Sequence, residues 1–158
     1  MNGIIIEGAD GTGKTTLAKI IAAKYGWDIC HCTADDPKDF DFYKHTARKK
    51  NVIWDRHTIG ELIYPYVFDR QPKISAEDAR IILDVAKQNG IMVLVLTADI
   101  DDLQKRLNVR GEECPEVLDK LGWINDKFAF YAGAFHVETI NTSKGINYTV
   151  LFNKLEQV

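Results

Sequence analysis

Short apolar runs alternate with stretches of helical periodicity along the whole chain. The runs are rich in Ile and Val, as strands covered on both faces are, and the stretches between them carry apolar residues at helical spacing. The predicted strands are Asn2–Ile6, Trp27–His31, Asn51–Asp55, Ile91–Thr97 and Val137–Ile140. The predicted helices are Lys14–Tyr25, Asp39–Lys50, Ile59–Phe68, Ser75–Asn89, Ile100–Leu107, Pro115–Phe135 and Tyr148–Gln157. This alternation predicts an α/β domain with a mostly parallel sheet.

The size and composition of the chain narrow its class. Its 158 residues contain no linker, repeat or low-complexity tract, so we predict one domain over residues 1–158. Apolar residues make up 46% and charged residues 27%, which is typical of a globular protein and gives no case for a membrane span. Three cysteines without paired spacing, and no visible targeting signal, predict the cytoplasm, or the host cytoplasm if the protein is viral.

The formal net charge of −3 provides no global basic field that would draw the protein to nucleic acid. One local basic run, residues 43–50, contains Lys44, His45, Arg48, Lys49 and Lys50. Such a run is usually a solvated face. If the protein acts on DNA, this run is the first place to expect phosphate contacts.

A phosphate-binding loop is the strongest motif in the chain. The segment GADGTGKT fits G-x-x-x-x-G-K-[ST] and lies between a predicted strand and a predicted helix. In this loop the backbone N–H groups surround phosphate oxygens, Lys14 reaches the β- and γ-phosphates, and the Thr15 hydroxyl binds Mg²⁺. Thr16 is a further candidate for an α-phosphate contact. The nucleotide-binding residues predicted for ATP are Gly8, Ala9, Asp10, Gly11, Thr12, Gly13, Lys14, Thr15 and Thr16.

Three segments together resemble the thymidylate kinase family of P-loop nucleoside monophosphate kinases. They are EGADGTGKTT after the first predicted strand, VIWDRHTIGELIYP around the third, and LQKRLNVRGEE, which is similar to a shortened lid at about residues 107–115. The resemblance implies five parallel strands in the order 2-3-1-4-5, helices on both faces and a lid that closes over the phosphates. The short segment before Asp55 is closer to small phage-type members, some of which resemble kinases of 5-hydroxymethyluracil in DNA.

The Asp-Arg pair after the third predicted strand supplies the next candidates. Asp55 should emerge at the carboxyl edge of the sheet, where it could hold Mg²⁺ or accept a proton, or could merely cap the next helix. Arg56 carries a planar guanidinium suited to a phosphate of the acceptor. Its structural alternative is a surface salt bridge with Glu61 or Asp69.

Two further arginines and an aspartate complete the predicted catalytic set. Arg106 and Arg110 share a helix face if the helix continues, and could stabilise the transferring phosphoryl group or simply complement the helix end. Asp10 lies inside the phosphate-binding loop, where its carboxylate repels phosphates, so we expect it to have a specific function there. It could bind a sugar hydroxyl of a nucleotide acceptor or act as a general base toward an alcohol. Glu7 is a weaker candidate for either task.

The acceptor side of the site is predicted less sharply. His57 and Tyr64 are candidates for substrate contact, while the nearby aromatics Phe40, Phe42 and Tyr43 are expected mainly to pack in the core. The loop after the last strand, with Asn141 and Thr142, is expected to border the donor base.

Three functions stay open on these residues. The leading one is transfer of the γ-phosphoryl group of ATP to a pyrimidine deoxynucleotide resembling dTMP. The alternatives are phosphorylation of the hydroxymethyl group of 5-hydroxymethyluracil in DNA, and a P-loop NTPase switch without a second substrate. The oligomeric state is left open.

Overall fold

The computed structural model describes residues 1–111 and 114–157 of the chain. Its sheet has five strands, which are β1 Gly3–Gly8, β2 Asp28–His31, β3 Val52–Asp55, β4 Ile91–Thr97 and β5 Glu138–Asn141. All neighbouring strands are parallel, and their order is β2-β3-β1-β4-β5. The predicted sheet and its strand order are therefore confirmed.

Helices cover both faces of this sheet. They are α1 Lys14–Tyr25, α2 Phe40–Thr46, α3 Thr58–Val67, α4 Ala76–Gln88, α5 Ile100–Arg110, α6 Pro115–Asp119, α7 Leu121–Ala134 and α8 Tyr148–Gln157. The alternating side chains of β1 divide the core, because Ile5 packs on the face covered by α3, α4 and α7, while Ile4 and Ile6 pack on the face covered by α1 and α8.

The predicted helix Pro115–Phe135 is wrong as a single element, because the chain breaks at Lys120 into α6 and α7. The Lys120 N–H closes a short turn on Val117 O, and its carbonyl accepts from Ile124 as a new helix begins. The buried residues Val117, Leu121 and Ile124 keep helical spacing across this break. The apolar pattern alone therefore cannot reveal it.

Two other helices differ in length from the prediction. The helix predicted over Ile100–Leu107 continues to Arg110 and ends where Gly111 adopts a left-handed conformation. The helix predicted over Asp39–Lys50 is shorter, since Asp39 is its N-cap and accepts from the Phe42 N–H at 2.9 Å. No helix in the described ranges is long and apolar enough to cross a bilayer.

Candidate active site

The loop between β1 and α1 places backbone N–H groups at the carboxyl edge of the sheet. Gly8 has a φ of 146°, and a Cβ there would lie 2.4 Å from the Leu96 carbonyl oxygen of the neighbouring strand. Gly13 has a φ of 93° and immediately precedes α1. Only glycine is comfortable in both conformations, so the local geometry accounts for these two fixed positions of the motif.

Lys14 is buried beside this loop, with 6% of its surface exposed. Its ammonium donates to Ala9 O at 2.8 Å, and the Thr12 hydroxyl donates to the same carbonyl at 2.8 Å. Burial, together with the charge of Arg56, lowers the pKa of Lys14 to about 8, although Asp10 and other carboxylates partly oppose the shift. At neutral pH the ammonium is therefore mostly protonated, but less strongly than an exposed lysine.

Thr15, in the first turn of α1, lies next to Asp55, at the end of β3. Asp55 ends β3 beside Ile6 of β1, and its Oδ2 accepts from the Thr15 hydroxyl at 2.8 Å. This oxygen pair fits Mg²⁺, which takes few protein ligands and otherwise uses water and phosphate oxygens. Among the described residues no group of three or more His, Cys, Asp and Glu side chains could hold a metal ion.

Asp10, Arg56 and Tyr64 form a compact cluster next to the loop. The Arg56 guanidinium donates to Asp10 Oδ1 and lies 4.4 Å from the centre of the Tyr64 ring, while the Tyr64 hydroxyl donates to Asp10 Oδ2 at 3.0 Å. Burial alone would raise the pKa of Asp10, but the charges of Arg56 and Lys14 hold it below its ordinary value. Each oxygen of the carboxylate therefore accepts one hydrogen bond, and the group is ionised at neutral pH.

Among the described residues, Arg56 does not form the surface salt bridge that was predicted as its structural alternative. In the described structure Arg56 pairs with Asp10 and with neither Glu61 nor Asp69, and Glu61 pairs with Arg70. Arg56 has a φ of 66°, and its N–H donates to Ile6 O at 2.8 Å. This left-handed conformation, which is uncommon for arginine, turns the chain out of β3 at the point where the side chain reaches Asp10.

The described residues form two cavities that include the loop and a third beside them. The central cavity, about 320 Å³, contains Lys14, Thr15 and Asp55. The β5-side cavity, about 620 Å³, lies beyond Gly11 and Gly13 and reaches Thr142 and Tyr148. The α3-side cavity, about 260 Å³, is lined by no loop residue, and it shares Cys32 and Arg56 with the central cavity. The central cavity thus has lining residues in common with each of the other two.

The two lid arginines occupy different places. Arg106 lines the β5-side cavity and donates through Nη1 to Gly11 O at 3.0 Å and to the Thr142 hydroxyl at 2.9 Å. Arg110 lines both the β5-side and the central cavity. The predicted lid falls partly on α5, and its residues Glu112 and Glu113 lie outside the described residues.

The candidates for acceptor contact, His57 and Tyr64, both line the α3-side cavity. His57 is almost fully buried, with Nε2 2.7 Å from the Thr46 hydroxyl and Nδ1 2.6 Å from the Thr58 hydroxyl. Burial lowers the pKa of His57 to about 3, so the ring is neutral at pH 7. Tyr43 is 2% exposed, which agrees with its predicted role in packing.

Sequence reasoning missed an ion pair in the α3-side cavity. Glu61 is 3% exposed and accepts from Arg70 Nη1 and Nη2 at 2.7 and 2.9 Å, and from the Lys73 N–H at 3.3 Å. The only sequence signal was a carboxylate inside the apolar run GELIYPYV, which argues for a paired buried charge.

Glu7, the weaker candidate for facing the acceptor, instead lies beneath α3. It is fully buried and accepts from the N–H groups of Ile59 and Gly60 at 2.6 and 3.2 Å, so it caps the first turn of that helix. Burial raises the pKa of Glu7 to about 7, against the lowering effect of these backbone donors. Its place is structural, under the helix that carries Glu61 and Tyr64.

The loop after β5 contributes one of its two candidates to the donor side. Thr142 lines the β5-side cavity, whereas Asn141 donates to Asp99 at 3.1 Å outside it. The basic side chains of residues 43–50 line none of the three cavities, and the end of the run meets the amino ends of the strands. There the Lys49 carbonyl lies close to Gly3 and Asn51 N–H donates to Asn2 O at 2.6 Å.

The fold of this chain is similar to the folds of several solved structures. The YorR protein of Bacillus subtilis, in complex with phosphorylated GDP, is 26% identical with a TM-score of 0.79, over 98% of this chain and 97% of that one. Deoxyadenosine kinase from M. mycoides with bound dCTP is 20% identical with a TM-score of 0.64, over 99% of this chain and 100% of that one. Thymidylate kinase from Candida albicans is 16% identical with a TM-score of 0.65, over 99% and 91%.

The chain has the P-loop kinase fold. No protein-family model matches the sequence, and no curated protein matches it. Structural similarity therefore establishes the fold, whereas the activity and the acceptor must be argued from the site itself.

Proposed function

We propose that this protein is an ATP-dependent kinase that transfers the γ-phosphoryl group to a pyrimidine deoxynucleotide resembling dTMP. The observation that carries the proposal is the junction of two cavities at Arg56. One contains the phosphate-binding loop with Lys14, and the other is a separate space lined by α3. A kinase needs such a junction because donor and acceptor must meet in line, whereas a hydrolytic switch needs no second cavity.

The donor side follows from the loop. The nucleotide base would occupy the β5-side cavity beside Thr142 and Tyr148, and the polyphosphate would lie along the loop toward Lys14. Lys14 would exchange its bond to Ala9 O for phosphate oxygens, where its charge is better stabilised. Thr15 and Asp55 would hold Mg²⁺, which would neutralise negative charge on the polyphosphate.

Arg56 and Arg110 are proposed to act on the transferring group. Both line the central cavity, and a guanidinium stabilises the oxygens of a phosphoryl group through paired donors. Arg106 supports the site differently, since its bonds to Gly11 O and Thr142 join the loop to the end of β5. Its proposed contribution is to fix the donor pocket.

The state of Asp10 favours a phosphate acceptor over a hydroxyl acceptor. A general base works best when its pKa lies near the working pH, whereas the pKa of Asp10 is lowered and both its oxygens accept hydrogen bonds. A phosphate oxygen is already nucleophilic at neutral pH and needs no base. Asp10 is therefore proposed to hold Arg56 and to bind a sugar hydroxyl of the incoming monophosphate.

The α3-side cavity is proposed to hold the acceptor base. Arg70 offers only donors there and is held in place by the two hydrogen bonds that it donates to Glu61, so it suits a carbonyl oxygen better than an exocyclic amino group. Thymine and uracil carry that carbonyl where cytosine carries an amino group. Guanine also carries a carbonyl, which makes dGMP the necessary competitor in any assay, given the GDP derivative bound to the B. subtilis protein.

The test is phosphoryl transfer from γ-labelled ATP with Mg²⁺ to dTMP, dUMP, dCMP, dGMP and duplex DNA containing 5-hydroxymethyluracil. We expect labelled dTDP and dUDP. Labelled DNA would replace the proposed acceptor, and a preference for dGMP would overturn the pyrimidine assignment. Release of inorganic phosphate at a rate that no acceptor changes would identify a switch instead. Lys14→Ala should abolish every product, and it serves as the background control.

A further inference from the structure

His57 joins α2 to α3 inside the protein. It directly precedes α3 and is only 2% exposed. Its Nε2 lies 2.7 Å from the hydroxyl of Thr46 in α2, and its Nδ1 lies 2.6 Å from the hydroxyl of Thr58 in α3. The rings of Tyr43 and Trp54 pack against it, with their centres 4.8 and 5.5 Å from its own. Both ring nitrogens are therefore engaged by protein hydroxyls rather than open to a substrate.

The hydrogen bonds of Thr46 fix which ring nitrogen carries the proton. The Thr46 hydroxyl oxygen lies 3.0 Å from Phe42 O and 3.1 Å from Tyr43 O, and carbonyl oxygens can only accept. The one proton of this hydroxyl is thus donated to the backbone of α2, so its oxygen accepts from Nε2–H of the neutral His57 ring. Nδ1 then has no proton and accepts from the Thr58 hydroxyl. The hydrogen bonds run in one direction, from Thr58 through His57 to α2.

Arg56 depends on the same turn of α3. It directly precedes His57 and has a φ of 66°, which is uncommon for an arginine. A Cβ at Gly60 would lie 3.8 Å from Cβ and 3.9 Å from Cδ of Arg56, so the stem of the arginine lies on the first turn of α3. The Arg56 N–H donates to Ile6 O at 2.8 Å, which fixes the side of its backbone that adjoins β3. The side that adjoins α3 is fixed through His57.

We propose that His57 is a positioning residue, which holds the Arg56 guanidinium at the junction of the central and α3-side cavities by fixing the start of α3 to α2. This inference rests on the proposed function, in which Arg56 acts on the transferring phosphoryl group.

The polar character of the His57 ring supports this role. An apolar side chain of similar size would fill the space beside Tyr43 and Trp54, but it would leave the Thr58 hydroxyl without its acceptor and α3 without this bond to α2. A buried polar network whose members are all bonded specifies one conformation, whereas apolar packing alone tolerates substitution and loses uniqueness first. The ring therefore supplies a fixed geometry in addition to packing.

The first experiment measures initial rates with ATP, Mg²⁺ and dTMP. We expect kcat to fall about tenfold in His57→Leu while the KM for ATP stays constant, because a misplacement of about 1 Å can cost about a hundredfold. Thr46→Val should lower kcat about threefold although Thr46 lines none of the three cavities, since it removes the acceptor of Nε2–H. His57→Gln keeps an N–H that can reach Thr46, and it should restore most of the rate.

A double-mutant cycle separates positioning from stability. In an Arg56→Ala background His57→Leu should lower kcat no further, whereas it should lower the free energy of unfolding in urea equally in both backgrounds. Leu155→Ala, in the core on the other face of the sheet, is the matched control, since it should lower stability and leave kcat and both KM values unchanged. An unchanged kcat in His57→Leu, an equal fall of kcat in both backgrounds, or a rise only in the KM for dTMP would contradict a positioning role.

The second experiment needs no turnover, so it also decides the case in which the wild type phosphorylates no acceptor and the proposed function itself fails. ¹⁵N spectra of the intact protein, labelled at histidine and arginine, follow the ring nitrogens of His57 and the buried Nε of Arg56. His57→Gln and Arg56→Ala assign these signals among those of the four histidines and the other arginines. We expect the proton of His57 on Nε2, and we expect Thr46→Val to shift the Arg56 Nε signal while Leu155→Ala leaves it in place. A proton on Nδ1, or an Arg56 signal that Thr46→Val does not move, would overturn the proposal.

Discussion

ATP affinity should fall as the pH rises above 8, because Lys14 is the buried cation proposed to face the polyphosphate. Burial lowers the pKa of Lys14 to about 8 in the free protein. A bound polyphosphate adds negative charge beside the ammonium and raises that pKa, so the complex favours the protonated form. The affinity contributed by the charge is therefore complete below pH 8 and is lost as the pH rises toward the pKa of the complex.

The magnitude follows from that pKa. Above pH 8 each unit should reduce affinity about tenfold, equivalent to about 1.4 kcal/mol, until the pKa of the complex is reached. At pH 8 half of the free protein carries a neutral Lys14, so binding should take up about half a proton. The titration of the ATP phosphates, near pH 6, lies below this window.

Calorimetric titration with Mg·ATP between pH 7 and 9.5, in two buffers of different ionisation enthalpy, measures both quantities. Lys14→Arg is the control, because a guanidinium does not titrate in this range, and any binding it retains should be flat with pH. A flat dissociation constant for the wild type, or proton uptake near zero at pH 8, would refute the assigned environment of Lys14.

Three further outcomes are expected. Glu7 has a pKa of about 7 in the folded protein against 4.5 ordinarily, so ionising it lowers the free energy of unfolding. In urea unfolding, the wild type should lose about 3 kcal/mol between pH 4.5 and 7 relative to Glu7→Gln. Parallel plots of unfolding free energy against pH for the two proteins would contradict this. Tyr64→Phe removes one bond to Asp10, so the acceptor KM should rise about fivefold while the ATP KM stays constant. Arg106→Ala frees Gly11 O and should raise the ATP KM about tenfold in initial-rate assays, and an equal effect on the acceptor KM would contradict its placement.

Features fixed by local rules could be predicted from the sequence. The spacing of glycines before Lys14 is typical of a turn between a strand and a helix. The apolar run before it predicted that strand. Asp55 could be placed because it directly follows a buried strand whose carboxyl end must lie beside the loop. The strand order came from the family resemblance, and the structure confirms it.

Features that depend on distant contacts could not be predicted. Arg106 bonds to Gly11 across 95 positions of sequence, and no periodicity encodes that meeting. From the sequence, Glu61 was a possible surface partner for Arg56. In the structure it pairs with Arg70 instead, because of where α3 places it. The basic run could be seen as a patch, but its position at the amino ends of the strands depends on how Asn51 pairs with Asn2.

The junction at Arg56 has a consequence for how such a protein can change. Among the residues that the structure describes, the central and α3-side cavities have only Cys32 and Arg56 in common. With the α3-side cavity as the proposed acceptor site, substitutions of its other lining residues can change what is phosphorylated without altering the residues of the central cavity. A variant library at Lys38, Phe68 and Arg70, which line only the α3-side cavity of the two, is the direct route to altered acceptor preference.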